Sequence, residues 1–483
     1  MNILLYNYAQ PLAGGTAGGG VSVYLRNLVP ELRADGHVVY TMSAGTSYDW
    51  ITSSPTLIRR ESQLVIRNSP NTAPNLYSFH HPEIYTQSTA LDSIPQQMRR
   101  SIGPLDVLHF HNLEGLTLGF FRALREAYPE AAIIFTAHNY GLICNQINLW
   151  HAGIGTCEDF EQGHRCTRCA TVPDRRAQRI ALCRVEPLLH ERPRVRRLLA
   201  APARVLRRLE SSAEPGMSAA PRIYPNDHAE SYATLRQGNL ELTRAVFDSV
   251  IAVSERTRAI LTQAGVAENR CHTLYIGTRH QERFATATKK VPSAGRLHVG
   301  YLGYAKRDKG FFLFLQSLDM LPEDAARNME VTIAARIADH RLRRQLEALS
   351  RRVRSLRLFD GYDHAQLPDI LAPVNLGIVP PLWEDCLPQV AIEWLAHGVP
   401  IACSDRGGAG ELCGNPDLRF AVDSAQPLAQ LLLRIHRSGL RIEEAWGRPP
   451  RLHSNQQHAQ ALLDVYRSLH ALRQPAAPID DGA

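Results

Sequence analysis

The sequence predicts an α/β protein made of two doubly wound parallel-sheet domains joined by a linker. Short apolar runs alternate with amphipathic helical stretches up to about residue 140, and the same rhythm returns after residue 296. Strands alternating with helices in this way lie side by side in a parallel sheet. A polar stretch with Lys289, Lys290 and Pro292 separates the two series. The length of 483 residues suits two or three domains at about 100 to 200 residues each.

In chain order, residues 3–6 read as a buried strand. Residues 21–34 carry Val21, Leu25, Leu28, Val29 and Leu32 at helical spacing. Gly36-His37 stops that helix, and 38–41 is the next strand. Strands at 106–111 and 132–136 flank a helix at 118–127. From Cys144 to about Gly238 the rhythm fails, giving way to cysteines, arginines and prolines, so this segment is read as an insertion. Strands resume at 249–253 and 273–276. The second series has strands at 297–301, 330–334, 356–359, 376–379 and 401–403, with helices that include 311–321 and 341–353. A final amphipathic helix spans 456–472, before a polar tail. The expected division is therefore 1–288, 289–455, a last helix to 473, and a tail at 474–483. Two such sheets put a cleft between them, and ligands of such sheets bind at the carboxyl ends of the strands.

Composition excludes several classes. With 44% hydrophobic and 21% charged residues the chain is an ordinary globular one, not disordered, collagen-like or coiled-coil. Lys plus Arg number 54 against 47 Asp plus Glu, a net charge of +7. That excess suits an anionic ligand, an acidic membrane surface or nucleic acid. No window reaches the ~18 to 20 consecutive apolar residues of a spanning helix. The first residues lack a basic n-region and their apolar run breaks at Asn7, so a cytoplasmic location is expected.

Three motifs carry chemistry. Gly14, Gly15, Gly18, Gly19 and Gly20 lie between the first strand and first helix, where free backbone N–H groups make an anion site. The second series opens similarly, with Gly303, Lys306, Arg307, Lys309 and Gly310 before a helix. The third runs from Trp383 through Asp385, Pro388 and Glu393 to Gly398 and Pro400, followed by Gly407, Gly408 and Glu411. Asp385 precedes a helix and Glu393 lies two turns into it, so both carboxylates can face the cleft. The first-turn N–H groups around Pro388 to Val390 point at an anion. A carboxylate beside a phosphate site is repulsive unless it binds hydroxyls, which argues for a sugar and a ribose as partners.

This third segment resembles the E-x7-E signature of retaining GT-B glycosyltransferases of the family 4 (group 1) type, with Asp385 in place of the first Glu. The resemblance extends over nearly the whole chain, through Phe110-His111-Asn112, Thr136-Ala-His138-Asn139, Val253-Ser254-Glu255-Arg256, Lys309-Gly310, Gly361-Tyr362 and Gly407-Gly408. It implies two Rossmann-like domains with the active site in the interdomain cleft and a last helix crossing back to the first domain. It further implies metal-independent transfer, with retention, from a UDP- or GDP-sugar to a saccharide or lipid-linked acceptor, in cell-surface polysaccharide or glycoconjugate synthesis. Residue by residue, Gly19, Gly20, Lys309 and Arg307 would meet the donor diphosphate. Glu393 would hold the ribose hydroxyls and Asp385 those of the transferred sugar. The amides of Gln389 and Val390, after Pro388, would take phosphate oxygens. Gly361 and Tyr362 would border the base, and His138 the anomeric centre, with His111 and Gly303 in the donor-binding set. The sequence departs from the family at Tyr304, where an Arg is usual, and at Ile276-Gly277-Thr278, where Asn-Gly is usual.

Two features fall outside this pattern. Cys157, Cys166, Cys169 and Cys183, with His164 nearby, include one knuckle of zinc spacing but no second C-x-x-C. A structural zinc at Cys157, Cys166 and Cys169 and a set of free thiols are both open readings. Arginines crowd residues 175–208 among leucines and valines, which suits peripheral contact with an anionic membrane or a solvated insert. Three rivals were weighed. A nucleotide-sugar 2-epimerase of the same fold does not account for the ordered family 4 pieces. A nucleic-acid-binding protein would interleave aromatics with the arginines, and that stretch has none. A dinucleotide oxidoreductase needs a G-x-G-x-x-G fingerprint that the glycine spacing does not supply.

Overall fold

The computed structural model describes residues 1–10, 19–191, 221–337, 340–448 and 452–474, with side chains of 186–191 excepted. Eight strands form the first sheet: β1 (Asn2–Tyr6), β2 (Val38–Ala44), β3 (Thr56–Arg60), β4 (Gln63–Arg67), β5 (Val107–Phe110), β6 (Ala132–Ala137), then, after a small hairpin of β7 (Trp150–His151) and β8 (Gly155–Thr156), β9 (Ser249–Ala252) and β10 (Cys271–Thr273). Their order is β10-β9-β6-β5-β1-β2-β4-β3, and only the edge strand β3 runs antiparallel. A short strand β11 (Gly277–Thr278) follows. The second sheet contains β12 (His298–Tyr304), β13 (Glu330–Arg336), β14 (Ser355–Asp360), β15 (Leu376–Val379), β16 (Ile401–Ser404) and β17 (Arg419–Phe420), all parallel in the order β14-β13-β12-β15-β16-β17.

The inner strands are apolar because helices cover both faces of each sheet. Ile3 to Tyr6, Val107, Leu108 and Phe110 are fully buried, the run expected of parallel strands packed on two sides. In each sheet the chain winds outward from a central strand and then returns to its other side. The two reversals fall between β1 and β5 and between β12 and β15, and the carboxyl ends there form the crevices in which such sheets bind ligands.

The terminal helix Asn455–Arg473 begins in a capping box of Ser454 and Gln457. It packs on the helix Gly19–Ala34 and on β6. β18 (His453–Ser454), just before it, pairs with β11, so the chain's return is hydrogen-bonded at the domain junction.

Three sequence expectations shift. The strand expected at 273–276 is Cys271–Thr273; Leu274 makes one more ladder bond, to the Ala252 carbonyl, and the chain then leaves the sheet. The insertion expected to end near Gly238 gives way earlier, because Gly238 lies inside the helix Ala229–Ala245. A Cβ at Gly238 would sit 2.4 Å from Leu118, so this glycine permits close helix contact rather than marking a break. The β3–β4 hairpin was not expected at all. Of the arginine-rich stretch 175–208 and the glycine-rich loop, residues 192–208 and Gly14, Gly15 and Gly18 lie outside the described residues.

Candidate functional site

The C-terminal side of the cleft is built on the helix Gln389–Ala396, with Pro388 as its N-cap. The loop before it is fixed by glycines across from it. Gly407 has φ of +67°, and a Cβ there would fall 2.1 Å from the Asp385 carbonyl oxygen; the Gly408 N–H donates to that same oxygen at 2.8 Å. Gly310, at φ of +70°, passes so close to the Pro380 carbonyl that a Cβ would overlap it. These contacts hold Lys309 and Asp385 together, with Nζ to Oδ2 at 2.7 Å. Burial by itself lowers the Lys309 ammonium, but Asp385 and Asp308 outweigh it and keep the group above its ordinary value. The Trp383 ring lies 4.7 Å from Nζ, a cation–π contact.

Glu393 sits one turn into the same helix, not the two expected from sequence, because the helix starts only at Gln389; the residue is 6% exposed, and its Oε2 has no hydrogen-bond partner among the described residues. Burial pushes its carboxyl up to about 7, against the opposing pull of Arg279 and a hydrogen bond from Tyr362. His364 Nδ1 stands 3.5 Å from Oε1. His280, His364 and Glu393 bring one ligand atom each within 4.8 Å of one another, a set that could hold a metal, although the Arg279 charge works against a cation there.

The N-terminal domain meets this helix directly. Gln389 Nε2 donates to the Gly20 carbonyl at 3.4 Å, and a Cβ on Gly20 would come 3.3 Å from that amide. A narrow cleft lies between the domains, lined by Tyr24 and Asn27 on one side and Gln389 and Glu393 on the other. Beneath it, at the ends of β5 and β6, His111 Nδ1 and His138 Nε2 are 3.1 Å apart. Tyr24 packs on both rings and hydrogen-bonds His458 of the terminal helix at 2.7 Å. Burial, then the neighbouring His458, pushes His138 down to about 3, and His111 is lowered well below its usual range by burial and the adjacent histidines. Both rings are therefore neutral at physiological pH.

A clasp that sequence reasoning did not identify closes the domains. Arg256 donates to buried Glu384 from Nε at 2.9 Å and from Nη2 at 2.6 Å, and Gly407 N–H donates to the same carboxylate at 2.8 Å. Ser254 Oγ donates to the Cys386 carbonyl at 2.6 Å. Glu411 caps the helix Glu255–Gln263 of the other domain: it accepts from the Glu255 and Arg256 N–H groups at 3.0 and 2.8 Å and from Tyr275 Oη at 2.5 Å. The only sequence signal for this was the adjacency of Ser254 and Arg256 and of Glu384 and Asp385.

The expected residues thus divide. Gly20, Gln389, Lys309, Asp385, Glu393 and Tyr362 gather around the helix Gln389–Ala396. His111 and His138 form their pair beneath Tyr24. Gly303 closes β12 with φ of +133°, and Gly361 follows β14 at φ of +79°; Gly19 opens the first helix and Val390 lies in the first turn of the other. Arg307 is exposed, and no described contact brings it to Asp385. Arg279, His280 and His364 were missed, because nothing in their local sequence distinguishes them. A second, small pocket lies within the N-terminal domain. Asn71, Asn112, Asn139, Asn145 and Asn239 line it with Glu114, whose carboxyl burial pushes up to about 7. Asn112 and Asn139 directly follow His111 and His138, so this polar pocket adjoins the histidine pair.

Residues 296–438 match the family described as glycosyl transferases group 1. No curated sequence matches the chain. Among solved structures it is similar to sucrose-phosphate synthase from Thermosynechococcus elongatus, at 17% identity and TM-score 0.54, over 98% of this chain and 99% of that one. It is also similar to a UDP-forming alpha,alpha-trehalose-phosphate synthase from Burkholderia vietnamiensis, at 13% identity and TM-score 0.55, over 98% of each chain. A third is Anabaena HepE in complex with UDP, at 14% identity and TM-score 0.51, over 98% of each chain. Likeness over the full length of both chains shows the GT-B fold, two Rossmann-like domains facing across a cleft.

Proposed function

We propose that the chain is a retaining, metal-independent hexosyltransferase of the family 4 type, taking its sugar from a nucleotide diphosphate donor. The observation that carries this is the meeting of Gly20 with Gln389 at the start of one helix that also carries Glu393, with the Lys309–Asp385 pair in the turns beside its N-terminus. A diphosphate fits between Gly20 and the first-turn amides, where helix dipole and Lys309 offset its charge. Glu393, with an oxygen free to accept, takes the ribose hydroxyls, and Asp385 those of the sugar. UDP is the nucleotide named for two of the similar structures, which favours a UDP-sugar over a GDP-sugar.

The acceptor sits toward the asparagine pocket, whose amides suit the hydroxyls of a saccharide; the headgroup sugar of a lipid-linked acceptor would meet the same groups. Cell-surface polysaccharide or glycoconjugate synthesis is the corresponding setting. Among the described residues no helix is long and apolar enough to cross a membrane. In the transfer, the bond from the anomeric carbon to the phosphate oxygen breaks, and the acceptor oxygen bonds to that carbon on the same face. The departing phosphate takes the acceptor's proton. Lys309 and the helix amides stabilise the charge that builds on the phosphate. Neutral His138 hydrogen-bonds the sugar without exchanging a full charge.

A thermal-shift screen against UDP, GDP and ADP and their sugars tests the donor. Stabilisation by one nucleoside diphosphate is expected, and it should be lost in Glu393→Ala. No response to any of them overturns the reading. With a donor in hand, NMR of the product anomer tests retention, and activity after EDTA treatment tests metal independence. Sugar epimerised without acceptor would instead support the epimerase.

A further inference from the structure

Cys144, Cys157, Cys166 and Cys169 line one small enclosed cavity in the N-terminal domain, and all four are buried. Their spacing is C-x12-C-x8-C-x2-C. We propose that these four sulfurs bind a structural zinc ion. The ligand set differs from the one the sequence pointed to: Cys183 lies on the helix Arg176–Glu191 and does not line the cavity, and Cys144 takes the fourth place. His151 also lines the cavity, but its Nε2 is engaged with the Arg165 carbonyl at 3.1 Å.

Donors already point at the sulfurs. The Ala152 N–H donates to Cys169 Sγ at 3.4 Å, and Arg236 Nη2 to Cys166 Sγ at 3.5 Å. Such outer contacts stabilise thiolate and orient metal ligands. Arg236 is itself fixed, by Nε donating to the Ile143 carbonyl at 2.8 Å and by the Phe160 ring 3.5 Å away. Four thiolates around a dication leave two negative charges, and the Arg236 guanidinium offsets one of them.

The backbone gives a second, independent reason. Among the described residues, five of the seven non-glycine positions with positive φ fall here: Ile147, Leu149, Ala152, Glu161 and Gln162. Such conformations persist only where the surroundings hold them. Leu149 and Trp150 reach the main core, but around Glu161 and Gln162 the apolar support is a small cluster of Phe79, Ala170 and Tyr232 with Cys166 and Cys169 themselves, against which Phe160 and Tyr224 pack. Loop-rich units with small cores are commonly held by a metal or disulfides, and all nine cysteines are free thiols.

Zinc is held by thiolates, so its binding displaces the thiol protons and draws the sulfurs to about 2.3 Å from the ion. They close in to do so, since the described donor atoms already gathered within 4.8 Å are those of His280, His364 and Glu393. An all-thiolate set selects zinc over harder cations.

Full-length protein purified without chelators should carry one zinc per chain by elemental analysis. Cys144→Ser and Cys169→Ser should lose it, and Cys183→Ser should keep it. Protein that holds no zinc and takes up none under reducing conditions overturns the proposal, as does zinc retained in Cys144→Ser and lost in Cys183→Ser. Should the serine variants fail to fold, cobalt substitution of the wild-type protein decides. The intense visible bands of tetrahedral tetrathiolate cobalt support the site, and their absence refutes it.

Discussion

Arg256→Ala isolates the clasp between the domains. The Glu384 side chain is 2% exposed and accepts two hydrogen bonds from Arg256 and one from Gly407, with Arg406 Nη1 at 3.8 Å. The truncation removes two of those bonds and the nearest cation from a buried carboxylate. Breaking a fully buried pair costs about 3 to 5 kcal/mol. Here the Arg256 side chain is 46% exposed, so water rehydrates its half and Arg406 retains part of the charge balance. The expected loss is about 2 kcal/mol. Because the partners belong to different domains, this loss falls on closure and not on either fold, and it shifts the closed-to-open ratio by about 30-fold. Hydrogen exchange reads it: the amides of Glu255 and Arg256, which bond across the junction to Glu411, should exchange up to about 30-fold faster, while those of β1 and β12 stay protected. Unchanged exchange at the clasp would refute the reasoning. Lost protection throughout β1 would instead show that Arg256 holds the domain's fold.

Glu393 makes stability depend on pH. Its carboxyl is raised from 4.5 to about 7, so the unfolded chain gives up this proton more readily than the folded one. The penalty is absent below about pH 4.5 and grows to about 3 kcal/mol as pH rises through about 7; denaturant midpoints at pH 5 and 8 should lie closer together in Glu393→Gln, and an equal gap would contradict the shift. Gly407→Ala places a Cβ against the Asp385 carbonyl at positive φ, and a loss of about 2 kcal/mol or more is expected by thermal denaturation; near-native stability would sink the close approach. Lys309→Ala removes a charge-assisted contact of about 1.5 to 3 kcal/mol and should weaken nucleoside diphosphate binding at least tenfold by calorimetry, whereas unchanged affinity would take Lys309 out of the donor site.

Strands buried on both faces were legible because each is a continuous apolar run, as in 3–6 and 376–379. The β3–β4 hairpin was not, since Thr56–Arg60 is an exposed edge carrying two arginines and mimics a loop. Gly238 misled for a related reason: a glycine reads the same whether it ends a helix or lets Leu118 approach one. In the site, residues sharing one helix or turn were legible, because Asp385, Pro388 and Glu393 keep a fixed spacing. Arg279, His280 and His364 were not, as their relation to Glu393 exists only after both β11 and β14 are placed. The cysteines show the same limit: C-x-x-C marks two ligands of a group, but Cys144 over Cys183 is decided by which one faces the cavity.

The two carboxylates eight residues apart occupy opposite environments, and this orders events at the site. Asp385 is already ion-paired with Lys309, so on the proposed donor site an arriving diphosphate would compete with it for the ammonium, freeing Asp385 to accept from sugar hydroxyls. Glu393 has no ion pair with Lys or Arg among the described residues, only His364 at 3.5 Å, and burial favours its protonated form. On the proposed assignment, ribose hydroxyls donating to it would favour the carboxylate. Donor binding is then expected to release one proton around pH 7, with affinity rising as pH increases from 6 to 8. Calorimetry in buffers of different ionisation enthalpy measures that proton directly, and a proton count of zero at pH 6 in the wild type would break the link between Glu393 and the donor.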